Sequence, residues 1–138
     1  MRILIIDGQG GRIGRQLIEA IGEKYPDHHV TAIGTNSIAT SAMLKSGAKD
    51  AATGENAVVV ACRRADVIIG PVGIVIADSL LGEVSPAMAL AVAQSSAVRI
   101  LIPMNRCENL IAGIGGQTPG ALISDAVDKL GEIISAAG

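Results

Sequence analysis

Phenylalanine and tryptophan are missing from the chain, and Tyr25 is the only tyrosine. Its core therefore has to be assembled from Ile, Val, Leu, Ala and Met, the usual filling between helices and a buried parallel sheet. Basic runs are missing as well. Lys and Arg number 11 against 13 Asp and Glu, a net charge of −2, which argues against a nucleic-acid partner. No apolar stretch reaches membrane-spanning length without interruption. No signal-peptide pattern precedes the first strand, so a cytoplasmic location is the expectation. Cysteine is scarce: Cys62 and Cys107 stand alone, neither in a C-x-x-C, and give no support to a metal or disulfide framework. His28 and His29 lack a third ligand at useful spacing and fit a solvated turn around Pro26.

Aliphatic residues and glycine are abundant. With 49% apolar residues and 138 residues in all, the chain is long enough for one domain spanning 1–138 with a substantial core. A small domain this hydrophobic leaves apolar surface uncovered, and homo-oligomerisation is expected.

The N-terminal stretch organises the rest. Ile3 to Ile6 form an uninterrupted aliphatic run, as in a strand buried on both faces. Gly8, Gln9, Gly10, Gly11, Arg12, Ile13 and Gly14 follow as a glycine turn, and Ile13, Leu17, Ala20 and Ile21 then mark one stripe of a helix. Strand, glycine turn and helix in that order give a glycine pattern its meaning. One glycine permits the tight reversal and a second lets backbone approach a pyrophosphate, the role expected of Gly11. A third brings helix and strand together. Unpaired N–H groups at the helix start then attract an anion.

The remaining elements alternate. The pattern predicts strands at 30–34, 48–52, 66–69 and 98–103, and helices at 38–45, 55–63 (with Thr53 as N-cap), 74–84, 86–94 (with Ser85 as N-cap) and from Pro119 to the C-terminus (capped at Thr118). Leu110 to Ile114 read as one antiparallel edge strand, because the link before them is too short for a crossover helix. The architecture expected is α/β: a three-layer, doubly wound, mainly parallel sheet.

Three further segments fall at the carboxyl ends of strands, where ligands of such sheets lie. Gly34, Thr35, Asn36 and Ser37 stand where a dinucleotide fold meets the adenosine ribose. They carry neither the Asp or Glu that suits NAD nor the Arg that suits NADP, and Asn36 or Ser37 serve equally well as a helix cap. Gly70, Pro71, Val72 and Gly73 form a turn after the fourth strand, and Asn105 and Arg106 a polar turn after the fifth. A guanidinium at that place holds a carboxylate or phosphate in two hydrogen bonds. Asp78 and Glu83 are isolated carboxylates with no partner visible in sequence.

The run Gly8-Gln-Gly-Gly-Arg-Ile-Gly-Arg15 closely resembles the phosphate-binding turn of dihydrodipicolinate reductases. That resemblance implies a nicotinamide-cofactor domain binding NAD or NADP. The substrate-binding His and Lys of those enzymes' catalytic domain have no counterpart here, so it does not imply their reaction. More broadly, Ile6 to Gly11, Gly34 to Asn36, Ala52 to Asn56, Gly70 to Gly73 and Met104 to Arg106 resemble a small uncharacterised bacterial family of Rossmann-like proteins. Two functions follow: a module that binds or senses a small-molecule nucleotide, or a small oxidoreductase completed at an oligomer interface. No catalytic residue is identifiable. No His, Lys or Tyr falls at a strand end suited to acid–base work, and this favours the first.

Overall fold

The computed structural model describes residues 1–103 and 109–138. Five strands, β1 (Arg2–Asp7), β2 (His29–Gly34), β3 (Asp50–Thr53), β4 (Val67–Pro71) and β5 (Val98–Ile102), form one sheet. Their order is β3-β2-β1-β4-β5, and every pairing is parallel. The sheet is doubly wound around β1. From β1 the chain steps outward through β2 to β3, then crosses back to β4 and out to β5. The change of direction opens a crevice between the carboxyl ends of β1 and β4.

Helices α1 (Arg12–Lys24), α2 (Ser37–Lys45) and α5 (Pro119–Ala137) cover one face, and α3 (Glu55–Cys62) and α4 (Pro86–Gln94) the other. This division is what right-handed crossovers require when the winding reverses. Side chains alternate between the two cores. Ile3 and Ile5 pack under α1 with Leu17 and Ile21, whereas Leu4 and Ile6 pack with Val58, Met88 and Val92. That double burial is why the first strand is apolar at every position from 3 to 6.

Most elements lie where the sequence places them, and three expectations are corrected. Ile74 to Val84 do not form a helix. A short 3₁₀ turn (Val72–Val75) is followed by a compact run of turns with Asp78, Leu80 and Leu81 at φ 66°, 55° and 57° and Gly82 at 88°. Ile74 and Val84 are buried, which accounts for the apolar pattern, but the chain between them reverses. Leu110 to Ile114 are irregular rather than an edge strand, and Leu110 is fully exposed. Thr53 does not cap α3. Gly54 holds that position without a side-chain bond, while the Thr53 hydroxyl meets Thr40 Oγ1 at 2.7 Å. The caps expected from Asn36, Ser85 and Thr118 are present, each accepting from a backbone N–H in the first turn of its helix. No helix among the described residues is long and apolar enough to cross a membrane.

Candidate functional site

The glycine turn joins β1 to α1 at the centre of the sheet, and Gly70 to Gly73 leave β4 beside it. Together they line a cavity of about 220 Å³ whose walls are Asp7 to Ile13, Pro71 to Gly73, Leu80 and Leu81. Two of the expected segments are thus brought together. Gly34 to Ser37 are not in the wall, and Asn105 and Arg106 lie outside the described residues.

Each glycine of the turn has its own reason. Gly11 has φ 73°, and a methyl carbon there would lie 2.8 Å from Ala39 Cα, against α2. Helix packing and the left-handed backbone both require glycine here, a reason that stands beside the pyrophosphate approach expected of it. Gly14 packs against Met43 and Asp7 Cβ, the close helix–strand approach expected of a third glycine. Gly10 is the open one: a methyl carbon there meets nothing within 4 Å, and the residue lines the cavity. Gly70 is pressed against the backbone of Ile6, and Gly34 against Thr40.

The floor is Asp7, which sequence reasoning passed over as the last residue of a strand. It is the one buried charged residue of the described chain, 5% exposed. Its Oδ1 accepts from Gly8 N at 2.8 Å and its Oδ2 from Gly14 N at 2.7 Å. Burial nonetheless raises its pKa above the ordinary carboxylate value, against the pull of these amides and with help from the nearby Glu83 charge. The carboxylate fills part of the anion position at the start of α1, so fewer amides remain for a ligand than the bare motif promised. Gly11 N turns back to Gly8 O at 2.9 Å. Gly10 N and Arg12 N have no acceptor among the described residues. The Arg12 side chain is exposed at the rim, on the first residue of α1.

Glu83 stands beside the cavity, outside its wall, on the loop that carries Leu80 and Leu81. Its Oε1 accepts from Gln9 N at 2.9 Å, Thr35 Oγ1 at 2.7 Å and Asn36 Nδ2 at 2.7 Å. Desolvation works to raise its pKa, but these hydrogen bonds outweigh it and leave the carboxyl below its usual value. Asn36 also caps α2, its Oδ1 accepting from Ala39 N at 2.9 Å, so the cap and the polar site are the same residue. Nothing local to Glu83 announced this, because its partners lie 47 to 74 residues away in sequence.

Elsewhere Cys62 is a buried thiol, pushed up to about 11 by burial, and inert at neutral pH. Cys107 lies outside the described residues. No group of three or more His, Cys, Asp or Glu among the described residues could hold a metal ion.

A family model for a domain of unknown function, DUF3842, matches residues 2–135. The chain belongs to that family. No curated protein matches it. Two solved structures are similar at low identity. One is a dodecameric FMN-dependent UbiX-like decarboxylase from Escherichia coli O157:H7, with 17% identity and a TM-score of 0.47, covering 95% of this chain and 76% of that one. The other is a nucleoside-diphosphate-sugar epimerase from Pseudomonas aeruginosa, with 16% identity and a TM-score of 0.46, covering 94% of this chain and 46% of that one. The likeness to dihydrodipicolinate reductases rests on the motif at residues 8–15 alone.

Proposed function

We propose that this DUF3842 protein binds a phosphate-bearing nucleotide, of the NAD or NADP kind, across the crevice between β1 and β4, and holds it without turning it over. The observation that carries the reading is Arg12. It is the one cation in the cavity wall among the described residues, and it occupies the first position of α1. A cation there opposes the helix dipole and costs about 0.3–1 kcal/mol. An anion seated between the guanidinium, Gly10 N and Arg12 N reverses that cost and receives two-pronged hydrogen bonding.

Size sets the mode of binding. A volume of about 220 Å³ is below the roughly 300–1,000 Å³ of sites that enclose a drug-sized ligand. It suits a diphosphate and part of one ribose, with both bases lying outward over the rim. Chemistry sets the absence of turnover. The titratable side chains in the wall among the described residues are Asp7 and Arg12, and both Asp7 oxygens already accept backbone N–H groups. Neither is placed to shuttle a proton at neutral pH.

A thermal-shift screen of NAD, NADP, FAD, ATP and coenzyme A tests the reading. A true ligand at 100 times its dissociation constant adds about 2.7 kcal/mol of stability. Gly10→Val should fill the crevice and abolish the shift with the fold intact. Arg12→Ala should weaken binding about tenfold or more while stabilising the unliganded protein by about 0.3–1 kcal/mol. No shift with any of the five overturns the reading.

A further inference from the structure

The carboxyl end of β2 has no carboxylate of its own, yet one stands beside it. Glu83 reaches there from the turns that follow β4, and a single oxygen, Oε1, collects Gln9 N, Thr35 Oγ1 and Asn36 Nδ2 at 2.9, 2.7 and 2.7 Å. The other oxygen, Oε2, accepts nothing among the described residues, and no cation there pairs with Glu83. The carboxyl is held in its ionised form by these same hydrogen bonds. Gly8 is bare on this side: a methyl carbon on it would come within 3.1 Å of Glu83 Oε1 and would collide with Thr35 Oγ1. Left-handed backbone at Leu80, Leu81 and Gly82 immediately precedes Glu83 and turns it inward.

In a parallel sheet that binds dinucleotides, the space between the glycine turn and the end of β2 receives the adenosine ribose. A carboxylate there accepts from the 2′-hydroxyl, whereas a 2′-phosphate calls for an Arg. We infer that Glu83, delivered by the loop after β4 instead of by β2, is the specificity-determining residue of the site, accepting a ribose hydroxyl at Oε2 and excluding a 2′-phosphate. The ligand class is thereby narrowed to nucleotides with an unmodified ribose, NAD rather than NADP. This rests on the nucleotide reading of the crevice and decides the question that Thr35, Asn36 and Ser37 left open in sequence.

Calorimetric titration of the protein with NAD and NADP, repeated on Glu83→Gln, tests it. The variant keeps a side-chain oxygen for Gln9 N, Thr35 and Asn36 but loses the charge. The expected result is NAD at least tenfold tighter than NADP in the wild type, with the ratio falling towards one in the variant. Equal affinities in the wild type, or a ratio that Glu83→Gln leaves unchanged, overturn the role of Glu83 and leave the nucleotide reading standing. Failure of both nucleotides to bind the wild type removes both. The wild-type ratio needs no variant, so poor folding of Glu83→Gln leaves the test decisive.

Discussion

Neighbouring glycines in the turn make opposite demands on a substitution. Gly10→Ala adds a methyl group to open space and should change stability by less than about 0.5 kcal/mol. Gly11→Ala combines a left-handed φ with a collision against the Ala39 backbone, and should cost about 2–4 kcal/mol, read as a lower urea midpoint at unchanged slope. A glycine pattern in sequence shows that close approach is needed but not what approaches. Asp7 illustrates the same limit, since its partners are amides that exist as a cluster only after α1 has formed. Its raised pKa has a definite sign in stability. The native state holds the proton more tightly than the unfolded chain, so the contribution of Asp7 is present below about pH 3.8 and is lost as the pH climbs through the raised native value. Asp7→Asn has no proton to lose. Denaturant titrations across that window should show its stability moving upward relative to wild type as pH rises.

At the scale of elements, strands and capped helices were legible because each carries a local signal. β1 and β4 are continuous aliphatic runs, and α2, α4 and α5 begin at side chains that accept from their own first turn. The segment from Ile74 to Val84 was not legible. Apolar residues at helical spacing served there to anchor both ends of a turn cluster, and leucine gives no local hint of left-handed backbone. That cluster is held from outside, by the bonds of Glu83 and by Ser79 Oγ donating to Gly73 O. Leu81 is 96% exposed at φ 57°, so it loses little by leaving and carries strain by staying. Leu81→Asn, a residue that tolerates this conformation, should stabilise the protein by about 1 kcal/mol, a rise in Tm of about 2–6 °C by calorimetry.

For the molecule as a whole, strict alternation of strand and helix was enough to anticipate a doubly wound sheet. The edge beyond β5 was not, because Leu110 to Ile114 have the composition of a strand without the pairing. The surface still bears large apolar side chains: Ile38 at 71%, Leu44 at 52% and Leu90 at 55% exposure on α2 and α4, and Val98 at 51% on the edge strand β5. A lone copy leaves these in water, so light scattering at micromolar concentration should give a multiple of the single-chain mass. A monomeric mass would show that this surface is tolerated as it stands.

The three-way junction at Glu83 ties the loop after β4, which roofs the crevice with Leu80 and Leu81, to the glycine turn and the end of β2. The Gln9 amide is sealed by a group belonging to the roof, so its hydrogen exchanges with solvent only in moments when the roof has let go. One backbone resonance then reports how often the crevice opens. A bound nucleotide should slow that exchange, while Glu83→Ala should make it as fast as in an unprotected turn.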